Sequence, residues 1–144
     1  MISVELAQKL REAGLVWQPT ERDHFAVPNL QMDNQVFVVS QLTALLQKYN
    51  GHPVVTFHGS SEWALDYIMM TDVVWMPSES QLREALAEAL GPNAMLSLDR
   101  YGAGYRCRIT QNGEELRFEA FDAEAAYARA LLHVLRTTEQ PTGN

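Results

Sequence analysis

The chain is poor in cysteine: Cys107 is the only one among its 144 residues. A single thiol cannot form an internal disulfide, which fits a reducing compartment. The sequence also lacks an apolar run long enough to span a membrane, because Asp66 and Asp72 interrupt the stretch 64–76. Near the start stands the carboxylate Glu5, where a secretion signal would be basic. We therefore expect a cytoplasmic protein with no membrane association.

Positive charge is scarce as well. Eleven lysines and arginines face 18 aspartates and glutamates, for a formal net charge of −7. This balance repels nucleic-acid backbones, so nucleic-acid binding is disfavoured. A hydrophobic content of 47% is ordinary for a folded protein and argues against disorder.

Signatures of common active sites are missing too. The serines show no Gly-x-Ser-x-Gly elbow. The segment 101–105 contains two of the three glycines of a Gly-x-Gly-x-x-Gly phosphate loop. It leads into a strand, so it provides no helix N-terminus to bind a phosphate. His24, His52 and His133 have no zinc-type spacing with one another or with Cys107. The sequence predicts neither a metal site nor a cofactor.

Two turn and cap signals in the last third are strong. Ser78 and Gln81 form a capping box that predicts a helix over Glu79–Leu90. Asn112-Gly113, between two strand-like runs, predicts a type I′ hairpin that pairs Gln111 with Glu114. The remaining expectations there are a strand over Met95–Asp99 joined across 101–104, and a final helix over Ala123–Arg136 capped by Asp122.

The first half is less regular. Ser3 caps a predicted first helix that ends at Gly14. The segment 42–48 fits a short helix after Ser40 or an extended strand, and both alternatives stay open. A helix is predicted over 62–69, and strands over 24–27, 36–39, 54–57 and 73–76.

These elements predict an α+β fold. Residues 78–136 form a helix, a three-stranded antiparallel sheet and a helix (αβββα), with an N-terminal α/β segment packed on it. We expect an N-terminal lobe over 1–77, an αβββα lobe over 78–136 and a flexible tail over 137–144. One continuous domain is the alternative.

Strand alternation from the hairpin sorts its side chains into two faces. On the open face Arg106 lies opposite Glu119, whereas Arg108 lies opposite Arg117, which is unfavourable unless an anion or another carboxylate lies between them. Arg106, Arg108 and Arg117 are candidate partner-binding residues, and cross-strand pairing is the structural alternative. The other face, expected to be buried, carries Tyr105, Cys107, Ile109, Leu116, Phe118 and Ala120.

The alternation also bears on the thiol. Arg106 and Arg108 flank Cys107 and would lower the pKa of an exposed thiol. Both point to the opposite face, so Cys107 is expected to be a small buried hydrophobe.

A second candidate site lies around 58–66. Glu62 and Asp66 are four residues apart, and His58 stands just before them, so the three could hold a ligand or metal with Trp63 beside them. The structural alternative is that the carboxylates stabilise a helix N-terminus while Trp63 anchors the core.

The order of elements over 78–136 resembles the double-stranded-RNA-binding fold and small phage αβββα sandwich domains. RNA-binding members carry lysines at the start of the last helix, where this chain has the acidic segment 122–124. RNA binding is therefore not expected.

Most of the chain also resembles a family of short uncharacterised bacterial proteins, some titled pilus assembly protein. The resembling segments are 2–7, 13–17, 62–66, 74–77 and 79–82. This resemblance implies a bacterial cytoplasmic protein and supplies no catalytic residues.

Three hypotheses for function follow. The first is a non-enzymatic interaction module that binds a protein partner or itself through the open sheet face or the region of Trp17, Trp63 and Trp75. The second is a small-ligand-binding protein or enzyme using His58, Glu62 and Asp66. The third is a nucleic-acid binder using the arginine face.

Overall fold

The structure is a computed structural model that describes residues 1–28, 36–39, 44–49, 52–57, 67–69 and 72–139. These residues form a mixed α+β fold, as the sequence predicts, with three antiparallel three-stranded sheets. The helices are α1 (Val4–Glu12), α2 (Glu79–Leu90) and α3 (Ala123–Glu139). The strands are β1 (His24–Ala26), β2 (Val36–Val38), β3 (Ala44–Tyr49), β4 (His52–Phe57), β5 (Tyr67–Met69), β6 (Val74–Trp75), β7 (Met95–Tyr101), β8 (Gly104–Gln111) and β9 (Glu114–Ala120). Within the described segments, no helix has the length and hydropathy needed to cross a membrane.

The chain divides into two compact units, Met1–Leu15 with Pro77–Asn144, and Val16–Met76. The expected N-terminal lobe over 1–77 included the first helix. In the structure α1 packs against α3, because it buries Ala7 and Leu10 on one side. The first unit is therefore discontinuous in sequence.

The first two helices begin at the predicted caps. The Ser3 hydroxyl accepts a hydrogen bond from the Leu6 amide at 3.1 Å. At α2 the capping box is complete: Ser78 Oγ accepts from the Gln81 amide, and Gln81 Oε1 accepts from the Ser78 amide at 2.9 Å. These bonds satisfy amides that a helix start otherwise leaves free.

The last helix is longer than predicted. Asp122 caps it through a 2.7 Å bond from the Ala125 amide. At the other end α3 continues through Thr137 and Thr138, which had been assigned to the tail. Both threonine hydroxyls donate to the Val134 carbonyl one turn back, and this satisfies a polar side chain without breaking the helix. Residues 140–144 lie outside the described residues.

The C-terminal sheet has the order β7-β8-β9 and the predicted register. Gln111 pairs with Glu114 across Asn112 (φ 54) and Gly113 (φ 79), which is the backbone of a type I′ turn. The helix α3 covers β8 and β9 on one face and also packs against α2.

The covered face is less buried than predicted: Cys107 and Ile109 are buried, whereas Tyr105, Phe118 and Ala120 are half-buried. Leu116 was expected to be buried, yet 39% of it is exposed. It lines a cavity of about 290 Å³ beside His133 and Thr137. Val134 and Thr138 of α3 line the same cavity.

The second unit contains the other two sheets, ordered β2-β1-β6 and β3-β4-β5. In the first of these, Phe25 is fully buried between Trp17 and Phe37, with ring centroids 5.8 and 5.5 Å away. Around it, Val27, Val39 and Val73 complete a small apolar core.

In this unit the structure decides one open alternative and corrects one predicted helix. Of the alternatives left open for 42–48, the extended one is right over 44–48, since β3 pairs with β4 from Ala44–Phe57 to Tyr49–His52. Residues 42 and 43 lie outside the described residues. The helix over 62–69 is wrong at its end, where β5 pairs with β4. In both cases hydrogen bonding to a neighbouring strand outweighs a weak local preference for helix. Positions 62–66 lie outside the described residues.

Candidate functional site

The surface of interest is the face of the C-terminal sheet opposite α3, here called the open face. The two hairpins fix which side chains lie on it. In each antiparallel pair, residues directly opposite one another share a face. By this register the open face carries Met95, Ser97, Asp99 and Tyr101 of β7, Arg106, Arg108 and Thr110 of β8, and Glu115, Arg117 and Glu119 of β9.

Ion pairs run across the open face between all three strands. The Arg106 guanidinium donates from Nη2 and Nε to Glu119 Oε1, at 2.9 and 3.1 Å. On the β7 side, Arg108 Nη2 lies 2.8 Å from Asp99 Oδ2. Each arginine of β8 thus meets a carboxylate of a neighbouring strand.

The opposed pair Arg108 and Arg117 has a carboxylate between its members. Glu115 Oε2 lies 2.8 Å from Arg117 Nη2, and Glu115 Oε1 lies 3.9 Å from Arg108 Nη1. This is the arrangement that the sequence required for two facing arginines to be tolerated. The predicted pairing of Arg106 with Glu119 is confirmed, whereas Arg108 pairs with Asp99. A partner-binding role for Arg106, Arg108 and Arg117 stays a prediction.

Tyr101 adds an aromatic group to this network. Its ring lies under the Arg106 guanidinium, with the Cζ atom 4.1 Å from the ring centroid, a cation–π contact. Hydrogen bonds from the Tyr101 hydroxyl and from Arg106 lower the pKa of Glu119 below its ordinary value. The bond to Glu119 in turn raises the pKa of Arg106. The three side chains stabilise one another's charged forms.

The open face is therefore electrically balanced. Three arginines are matched by the carboxylates of Asp99, Glu115 and Glu119, so it offers no excess of positive charge to a phosphate backbone. Sequence reasoning missed Asp99 and Glu115 as members of this network. The alternation that placed Arg117 on the open face also places Glu115 there, and the hairpin at 101–104 adds Asp99.

Apolar groups remain exposed at the ends of this face. Met95 is 72% exposed, and Phe121, directly after β9, is 89% exposed. A cavity of about 360 Å³ opens beside Phe121 at the end of the sheet where β7 turns into β8. Arg129 of α3 closes one side by donating to the Glu119 carbonyl at 2.6 Å. The other residues lining this cavity are Tyr101, Gly102, Ala103, Gly104, Tyr105, Glu119 and Ala120.

Cys107 lies on the covered face and is fully buried. Burial raises the pKa of its thiol to about 11. A thiol of this kind is protonated at neutral pH and is a poor nucleophile. Its predicted role as a buried apolar side chain is confirmed.

The other candidates from the sequence are the site around 58–66 and the tryptophans. His58, Glu62, Trp63 and Asp66 lie outside the described residues, so the ligand site proposed for them stays a prediction. Trp17 and Trp75 are both half-buried, and Trp17 Nε1 donates to Asp23 at 2.9 Å. In the part of the chain that the structure describes, no three histidine, cysteine or acidic side chains are grouped to hold a metal.

No protein-family model, curated protein or solved structure matches the chain. The resemblance to short bacterial proteins therefore stays a prediction.

Proposed function

We propose that this chain is a non-enzymatic protein-interaction module that binds a protein partner through the open face. The observation that carries the proposal is the exposure of Met95, Tyr101 and Phe121 around a network of internally paired charges. Met95 lies at one end of the sheet and Tyr101 and Phe121 at the other, so a protein that covers the whole face would bury all three.

The charge pattern favours a protein over a nucleic acid as the partner. A phosphate backbone would have to displace Asp99, Glu115 and Glu119 from their arginines before it gained any contact. Repulsion by the whole chain, with its formal net charge of −7, would add to that cost. A protein partner can instead keep the pairs intact and cover the apolar groups at the two ends.

The pairing also gives the face specificity. A partner surface with charges of only one sign would face equal numbers of positive and negative side chains on the open face. Attraction and repulsion would then largely cancel, and the partner would bind weakly. We therefore expect the partner surface to be apolar opposite Met95 and Phe121 and to carry charges of both signs between them. A cytoplasmic location is part of this proposal, since the single thiol fits a reducing compartment.

The proposal is tested by site-specific photo-crosslinking in the cells that make the protein. One photoreactive residue replaces Ser97, which is exposed on the open face, and a control replaces Glu88, which is exposed on α2. We expect a discrete adduct from position 97 and none of the same mass from position 88. The cross-linked protein is then identified, purified and titrated against the chain by calorimetry.

Variants make the titration specific. Met95→Lys and Phe121→Ser should each weaken binding by about tenfold or more, since each removes an apolar contact worth roughly 1.4 kcal/mol. Glu88→Lys should leave the affinity unchanged. Equal binding of all four proteins, or identical adducts from both positions, would refute the open face as the binding surface.

A further inference from the structure

The C-terminal sheet has two outer strands, and they differ in how well they are protected. Within the described residues β7 and β9 each pair on one side only. The free N–H and C=O groups of an outer strand form a template for pairing with another chain, and proteins commonly block such edges with charged residues.

The edge of β9 is blocked in this way. Glu115, Arg117 and Glu119 alternate along it on the open face. The antiparallel pairing of two copies that uses all three of these residues has Arg117 at its centre, so that Arg117 meets Arg117 and Glu115 meets Glu119 of the second copy. A shift by two residues brings Arg117 opposite a glutamate but leaves the third residue without a partner in β9. Like charges directly opposite one another destabilise a strand pair.

The edge of β7 has no such protection over its first four residues, which are 95–98. Its turn into β8 is a two-residue loop with Gly102 at φ 56, so Tyr101 and Gly104 exchange hydrogen bonds across it. By alternation, Asp99 and Ser97 also direct their backbone groups toward β8. The backbone groups of Leu96, Leu98 and Arg100 then point outward.

We infer that a second copy of this chain pairs antiparallel with the outer edge of β7, about a two-fold axis at Leu98. The inference goes beyond the proposed function, because it concerns the edge of the sheet and not the open face. In this register Leu98 meets Leu98, and Leu96 meets Arg100 of the second copy. All three outward-facing residues of each strand then exchange hydrogen bonds, about six in total.

Side chains support the same register. On the open face Met95 lies opposite Tyr101 of the second copy, and this contact occurs twice because of the symmetry. These two residues are 72% and 45% exposed in the single chain. Ser97 lies opposite Asp99, so no like charges meet. Shifting the register by two residues toward the loop would place Asp99 against Asp99.

The dimer is tested by light scattering coupled to gel filtration at low and high protein concentration. We expect the wild-type mass to approach twice that of one chain as the concentration rises. Hydrogen exchange measured by NMR gives a second readout. The amides of Leu96, Leu98 and Arg100 should exchange slowly in the dimer, whereas those of Glu115, Arg117 and Glu119 should exchange quickly.

Matched proline variants identify the edge. Arg100→Pro removes an outward N–H of β7, and Arg117→Pro removes the corresponding N–H of β9; both side chains are exposed. We expect Arg100→Pro to be monomeric and Arg117→Pro to keep the wild-type mass. Circular dichroism of each variant checks that it is folded.

If Arg100→Pro does not fold, Ser97→Glu replaces it. The new carboxylate lies beside Arg108 within one chain but opposite Asp99 of the second copy, so the dissociation constant should rise about tenfold or more. A wild-type chain that stays monomeric overturns the inference, as does equal loss of the dimer in both proline variants. Neither result bears on whether a different protein is cross-linked at position 97. The dimer and the proposed function can therefore be refuted independently.

Discussion

At the scale of single residues, the open face shows that a cluster of arginines need not be a basic patch. Glu115 contacts both Arg117 and Arg108, and it turns an unfavourable pair into a bridged one. The hairpin turn alone determines this arrangement, since it sets which residues alternate onto the same face. The sequence is therefore enough to predict which charged residues share the open face. The distances between their charged atoms depend on side-chain conformations, which the sequence pattern does not give.

Glu119 gives a pH-dependent prediction at this scale. Its pKa in the folded protein is lowered from 4.5 by the Tyr101 hydroxyl and Arg106. The stabilisation is complete above that ordinary value and is lost as the pH falls through the lower, folded-state pKa. We expect the thermal midpoint of the wild type to drop more steeply below pH 4.5 than that of Glu119→Gln.

Tyr101→Phe is the matched comparison, because it removes only the hydroxyl. Its profile should lie between those of the wild type and Glu119→Gln. The measurement is a series of thermal unfolding curves by circular dichroism at constant ionic strength. Parallel profiles for the three proteins would show that the hydrogen bonds to Glu119 contribute nothing to stability.

Cys107 gives a second prediction for a single residue. Since its side chain is fully buried and its pKa is raised to about 11, a thiol reagent at pH 8 should react with the native protein only when it unfolds. The reaction should become fast in denaturant. Cys107→Ala should lower the free energy of unfolding by about 1 kcal/mol, and Cys107→Ser by more, since a buried hydroxyl without a partner costs roughly 1–3 kcal/mol. Fast labelling of the native protein would contradict this account.

At the scale of elements, predictions succeeded where a short motif specifies its own backbone geometry. The capping box fixed the start of α2, and Asn112-Gly113 fixed the pairing of β8 with β9. Segments without such a motif were ambiguous. Leu42–Lys48 satisfies helical spacing as well as strand spacing, and only pairing with β4 decides between them. A single segment carries no information about such a distant partner.

Gly104 and Gly102 give a prediction for the hairpin of β7 and β8. A Cβ at Gly104 would lie 2.7 Å from the backbone oxygen of Ala120, so a strand would have to shift. A Cβ at Gly102 meets nothing within 4 Å and faces only the cost of φ 56. We expect Gly102→Ala to cost about 1 kcal/mol and Gly104→Ala about 2–3 kcal/mol. Urea unfolding measures both, and a smaller cost at Gly104 would mean that β8 and β9 separate easily at this end.

At the scale of the whole molecule, the division into two units was the feature least accessible to sequence reasoning. The chain leaves the first unit after Leu15 and returns to it at Pro77. The first helix was grouped with the rest of residues 1–77, because local patterns show which face of a helix is apolar, but not which element covers that face. Here the cover is α3, more than 100 positions along the chain.

Paired core substitutions test this division. Leu10 of α1 and Phe25 of β1 are both fully buried, one in each unit. Leu10→Ala should cost about 3 kcal/mol through the lost side chain and the cavity it leaves. In hydrogen exchange followed by mass spectrometry, its effect should be largest in α2 and α3. Phe25→Leu should instead raise exchange most in β1 and β2, since each unit opens as its own cooperative element. If Leu10→Ala raised hydrogen exchange in β1 and β2 as much as in α3, the first helix would stabilise both units and not one alone.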